Sequence, residues 1–157
     1  MATASSPRSS SSRSSSSRTP WHLWLVGLIG IPWNGFGVFD YVGTKLRGEA
    51  HLREFGLTDP QIAYMAAMPA WMTAAWAIGV FGGLIGAVLL LMRNKLAVPV
   101  FALSLAAFLA SLFYSYFLSD GAQLMGPTAA IMNAVIFTGC LFFLLYARAM
   151  ANKGVLR

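Results

Sequence analysis

Four long apolar stretches dominate the chain, at about 22–42, 68–92, 96–118 and 128–147, and Asp40 is the only charged residue inside any of them. Each is close to the ~20 residues a helix needs to cross a ~30 Å hydrocarbon layer at about 1.5 Å rise per residue. Lipid offers no partner to an open sheet edge, so stretches of this kind cross as α-helices. Composition agrees: 57% of the 157 residues are hydrophobic and 10% are charged, against about 25% charged in an average soluble domain. The expected fold is an all-α integral membrane bundle of four transmembrane helices in one domain, 21–150. Trp21, Trp24, Tyr41, Trp71, Tyr116 and Tyr146 fall near segment ends, where amphipathic rings sit at headgroup depth.

The charges between the stretches set an orientation. Arg8, Arg13, Arg18, Arg93, Lys95, Arg148, Lys153 and Arg157 fall on one side with no acidic residue among them. Lys45, Arg47 and Arg53 fall on the other side, mixed with Asp40, Glu49, Glu54, Asp59 and Asp120. The positive-inside rule places the first group in the cytoplasm. Both termini are therefore expected inside, with the chain in a bacterial inner membrane. The net charge of +6 does not point to nucleic acid, because the basic residues punctuate apolar runs instead of forming a patch with exposed aromatics.

Residues 1–20 form a Ser/Arg-rich tail with almost nothing apolar to repay the entropy of ordering it. It reads as a disordered cytoplasmic segment, and no small-residue cleavage site follows the first apolar stretch. Residues 151–157 read as a short basic tail. Residues 43–67 form the one sizeable external loop, expected to act as a connector. Within it Glu49 and Arg53 are spaced i,i+4, and Gly56 marks a helix stop. Thr58 then caps a new start with Pro60 in its first turn. Ile62, Tyr64, Met65 and Met68 are expected to lie along the interface before the second crossing.

Small and polar residues recur at helical spacing. Gly27, Gly30, Asn34, Gly37 and Tyr41 share one face of the first crossing, beside Pro32, which is expected to kink the helix or free a carbonyl. Met72, Ala75, Gly79, Gly82 and Gly86 share a face of the second, with two overlapping G-x-x-x-G pairs, Gly79/Gly83 and Gly82/Gly86. Ser104, Ala107, Ser111 and Ser115 do so on the third, and Ala130, Asn133, Cys140 and Ala147 on the fourth. In lipid such faces let helices approach closely, or they line a solute path. Asn34 and Asn133 either satisfy each other between helices or bind a hydroxylated solute, since a buried amide without a partner costs about 1–3 kcal/mol. Asp40 is a candidate for gating or coupling, or for an interfacial ion pair with Lys45 or Arg47. Trp33, Trp71 and Trp76 either fill the bundle or offer indoles to a sugar ring.

Other chemistries lack their residues. His22 and His51 lie on opposite sides, so they make no haem pair. The lone Cys140 forms no disulfide within the chain. There is no zinc-type Cys/His cluster, no glycine-rich phosphate loop and no Ser-His-Asp set at membrane depth. No catalytic residue, metal or cofactor is expected, and the chain does not read as an enzyme.

Trp33-Asn34-Gly35-Phe36-Gly37 running to Phe39-Asp40-Tyr41, with Pro69-Ala70-Trp71, Ala75-Trp76-Ala77-Ile78-Gly79-Val80 and the closing Gly154-Val155-Leu156-Arg157, resembles small four-helix proteobacterial inner-membrane proteins commonly labelled sugar transporters. The resemblance covers about 21–157 and implies transport of a small polar solute. Trp33, Asn34, Trp76 and Asn133 would contact that solute, and Asp40 would gate or couple. A homo-oligomer is expected, because four helices are few for an alternating-access site built between repeats. The alternative is a non-catalytic accessory or assembly subunit, with the glycine groove docking helices of partner membrane subunits. A signalling role through the Ser/Arg tail is a third reading.

Overall fold

The computed structural model describes residues 19–157, and most of the tail expected at 1–20 lies outside them. The described part is helical with no strand. Helix α1 spans Trp21–Arg47, α2 Glu49–Glu54, α3 Asp59–Ala66, α4 Ala70–Leu91, α5 Ala97–Phe113 and α6 Gly121–Asn152. A π-helical turn, Tyr114–Leu118, continues α5. Counting that turn with α5, four helices are long and apolar enough to cross a membrane. The protein is thus built as a multi-pass membrane protein whose apolar faces meet lipid.

Helix α4 is the centre of the bundle. It packs along α1 on one flank and α5 on the other, while α6 joins mainly through α5. The α1 stripe meets α4 in antiparallel order. Gly27 lies under Leu91, Gly30 under Ala87 and Phe143, Asn34 against Gly83, Gly37 beside Val80, and Tyr41 edge-on to Trp76 at 5.0 Å. Residues three and four apart share a helix face, so one stripe zips onto one groove. On the opposite flank a Cβ at Gly82 would stand 3.2 Å from Ser104 Cβ, and one at Gly86 would stand 2.7 Å from Phe101 Cε1. Both faces of the glycine groove are occupied by the chain's own helices.

The two ends of the bundle differ. At the end carrying Arg93, Lys95, Arg148, Lys153 and Arg157, a buried cluster closes the interior. Leu23, Ala87, Leu90, Phe101, Phe143, Met150 and Leu156 are among its members, and Phe101 stacks on Phe143 at 5.6 Å. The last residues belong to this cluster. Gly154 takes φ 68° and turns the chain, so that Arg157 N–H donates to Arg93 O at 2.7 Å and Lys95 N–H donates to Arg157 O at 3.0 Å. Arg93 Nε adds a bond to Val155 O at 3.1 Å. Of the residues 151–157 expected as a basic tail, 151–152 close α6 and 154–157 form a packed strap across the α4–α5 turn.

The other end carries Asp40, Glu49, Glu54, Asp59 and Asp120, and there the 43–67 connector is more structured than expected. Helix α1 runs five residues past the expected limit, from 42 to Arg47, before Gly48 (φ 55°) breaks it. Short α2 and α3 follow. The Arg53 side chain donates to Glu49 at 2.8 Å and pairs with Asp59 at 2.7 Å. The Glu49 bond first, then Asp59, holds its guanidinium above the ordinary value. These groups are open to water, so the pairing orders the loop and adds little stability. Gln61 Oε1 accepts the Thr58 N–H at 3.0 Å, the back half of a capping box. Helix α6 begins before its expected residue 128 and ends after 147. Pro127 disfavours the α conformation in the residue before it, and Gly126 there takes φ 73° and ψ -174°, which residues bearing a side chain rarely adopt, so the helix is broken.

Candidate functional site

Beyond Ser104, toward the acidic end, the facing stripes of α4 and α5 line a cavity of about 250 Å³ that α6 closes on its third side. Ser104 marks its floor: its Oγ donates to Gly79 O at 2.6 Å, holding the two backbones together. Above it α5 contributes Ser111 and Ser115, α6 contributes Asn133 and Cys140, and α4 contributes Met72 and Trp76, with Met65 and Met68 at the acidic end. Ser111 Oγ donates to Ala107 O at 3.1 Å, which commits its proton and leaves its lone pairs for a guest. The Asn133 amide and the Ser115 hydroxyl bond to no described residue. No charged side chain lines the cavity.

Of the four residues expected to contact solute, this cavity gathers Trp76 and Asn133 and leaves out Trp33 and Asn34. Trp33 lies across α6, where a Cβ at Gly139 would stand 3.2 Å from its Nε1. Asn34 Nδ2 donates to Gly30 O at 2.8 Å, and its Oδ1 sits on Gly83. No hydrogen bond joins Asn34 to Asn133 among the described residues; each lies on a different side of α4. Of the expected packing residues, Gly27 and Gly30 on α1 face α4, Gly83 on α4 faces α1, and Gly79, Gly82 and Gly86 on α4 lie toward α5. Ser104 touches α4, and Ser111 lines the cavity.

Asp40 pairs with neither Lys45 nor Arg47. Its Oδ1 stands 3.2 Å from His51 Nε2, while Arg47 pairs with Glu54. His51 is 1% exposed. Its ring lies in the space left by Gly43, between Phe39 at 5.8 Å and Phe55 at 4.8 Å. Helix α2 folds back on α1 to put it there, a contact that the Glu49–Arg53 spacing does not show. A glycine one turn beyond a carboxylate, followed by a helix-breaking Gly48, was the available signal. His51 Nδ1 and Thr44 Oγ1 are buried without a partner. Among the described residues, no three His, Cys, Asp or Glu side chains stand together to hold a metal.

The cavity mouth is bridged by α3. Tyr64 Oη hydrogen-bonds Ser119 Oγ at 2.9 Å, and Gln61 Nε2 donates to Leu124 O at 3.1 Å. The π-helical turn that carries Ser115 sits directly below; such turns widen a helix locally and recur at functional sites. A second hollow of about 480 Å³ lies on the flank of α1, lined by Phe39, Val42 and Leu46, with Arg47 at its edge. Its apolar wall is what lipid covers, and it offers no converging polar groups.

No protein-family model, curated protein or solved structure matches the chain.

Proposed function

We propose that the protein is a bacterial inner-membrane transporter of a small uncharged solute bearing hydroxyl groups, non-enzymatic and with both termini in the cytoplasm. The observation that carries this reading is the cavity. It lies among the membrane-spanning helices, between the packed cluster of the basic end and the α3 bridge of the acidic end, and it is lined by Trp76 and by Asn133, whose amide bonds to no described residue. Positive-inside orientation puts the basic end in the cytoplasm. On this reading the packing around Phe101 and Phe143 is the closed inner gate. A second copy would complete the path, because sites of this kind form between repeats.

The accessory-subunit reading has less to stand on. The glycine groove that would dock a partner helix is filled by α1 and α5.

Osmotic re-swelling of proteoliposomes tests the proposal without a labelled substrate. Vesicles shrunk in a panel of neutral hydroxylated solutes should recover several-fold faster with the protein than without it, and Asn133→Ala with Trp76→Ala should remove the gain. Recovery equal to protein-free vesicles across the panel would sink the transport reading. Native mass spectrometry from lipid nanodiscs reports the oligomer, and a stoichiometric complex with other chains would favour the accessory role.

A further inference from the structure

The walls of the cavity are chemically divided. Met65, Met68 and Met72 descend from α3 into α4 as a continuous thioether face, with Trp76 next below. The groups that can hydrogen-bond a guest lie mostly on α5 and α6, as Ser111, Ser115 and Asn133, with the Trp76 indole N–H at the foot of the methionine face. A guest therefore meets one polar edge and one soft, apolar face.

That division sorts candidate solutes. A charged guest would lose its hydration with no counter-charge to meet it, since no Asp, Glu, Lys or Arg lines the walls, and a buried unpaired charge is strongly disfavoured. A sugar carries hydroxyls around its whole rim, so those turned to the methionines would be left without partners. An aromatic ring suits the same face, because thioether sulfur makes favourable contacts with ring edges. One hydroxyl on that ring can donate to the Asn133 carbonyl oxygen and accept from its NH₂ or from Ser115. At about 250 Å³ the cavity falls below the ~300–1,000 Å³ of sites for drug-sized ligands, which fits a single substituted ring.

Building on the transport reading of this cavity, we infer that its solute is a small uncharged aromatic alcohol or phenol, held by Asn133 through its one hydroxyl and by the methionine face through its ring. The class is narrower than the sugar that the sequence resemblance implies, and it excludes the carboxylate and the amine of the same size.

Cys140 lines the cavity and is the chain's single cysteine, so its alkylation reports occupancy at one place. The full chain in lipid nanodiscs is treated with N-ethylmaleimide, and the single adduct is followed by intact mass. The expected result is that 4-ethylphenol slows labelling at least five-fold, whereas glucose, benzoate and ethylbenzene leave it within two-fold. Asn133→Ala should abolish the protection by 4-ethylphenol. Protection by glucose instead would overturn the aromatic class and leave the transport reading intact. Equal protection by ethylbenzene, or protection that persists in Asn133→Ala, would overturn the polar edge. Labelling unchanged by any of the four would overturn the inference, and the re-swelling assay then decides separately whether transport stands. If Cys140 proves unreactive in the native protein, the thermal unfolding midpoint replaces it. A rise with 4-ethylphenol in the wild type but not in Asn133→Ala supports the inference, and no rise rejects it.

Discussion

Gly86→Ala puts the seal at the basic end under a defined load. A Cβ there would stand 2.7, 2.8 and 3.0 Å from three ring atoms of Phe101. That ring is 3% exposed, and its other face stacks on Phe143 at 5.6 Å with the planes 15° apart. It cannot retreat without moving α6. Overpacking of this kind costs about 1–3 kcal/mol, while replacing a mid-helix glycine by alanine returns up to about 1 kcal/mol of helix propensity. The propensity part cancels against Gly35→Ala, where a new Cβ meets nothing within 4 Å. Gly86→Ala should therefore be less stable than Gly35→Ala by about 1–3 kcal/mol. Unfolding in dodecylmaltoside micelles titrated with SDS and followed by far-ultraviolet circular dichroism gives both values against the same wild type. Two variants within ~0.5 kcal/mol of each other, the scatter of independent sites, would refute the close Gly86–Phe101 packing and with it the sealed end.

Five further variants use the same titration. Leu156→Ala should cost about 2–5 kcal/mol, the range for a buried leucine, because Leu156 is 1% exposed although second from the end; a loss below ~0.5 kcal/mol would mean the strap is not packed. Gly126→Ala should cost about 1–2 kcal/mol from its left-handed conformation alone, since no atom lies within 4 Å of the added carbon. Tyr146→Phe removes the 2.5 Å bond to His22 Nδ1 and should cost about 0.5–1.5 kcal/mol. His51→Ala empties a buried ring site and should cost about 2–4 kcal/mol. Asp40→Asn keeps an oxygen beside Nε2 and should stay below ~1 kcal/mol; the reverse order would mean that charge pairing, and not packing, holds α2 on α1.

The long helices were legible in the sequence because length and apolarity alone satisfy the constraint a bilayer imposes. So was the α1 stripe, where spacings of three and four place Gly27, Gly30, Asn34, Gly37 and Tyr41 on one face, and that face meets α4. Spacing shows which residues share a face but not what lies opposite. Asn34 and Asn133 look equivalent as lone amides in apolar stretches, yet one lies on Gly83 and the other in the cavity, because α1 and α6 reach α4 from different sides. In segment 43–67 the Glu49–Arg53 spacing, the Gly56 stop and the Thr58 cap marked the two short helices but not their packing. His51, Leu52 and Ile62 are buried by α1 and the bundle end, and local composition carries no record of such long-range contact. The strap at 154–157 was hidden in the same way, since basic residues beside Val155 and Leu156 read as a solvated end.

The distribution of polar groups ties the fold to the proposed role. Several polar side chains on packed faces are satisfied inside the chain. Ser104 bonds to Gly79 O, Asn34 to Gly30 O and Arg93 to Val155 O. In the cavity Asn133 and Ser115 bond to no described residue although they sit on spanning helices. Both are only half-buried, so water in the hollow can meet their polar groups, and on the transport reading a solute hydroxyl would take that water's place. The bonds of Tyr64 with Ser119 and of Gln61 with Leu124 O already bridge the acidic end, on short α3 and close to the Gly126 break, so on the transport reading these are the contacts that must part to admit a solute.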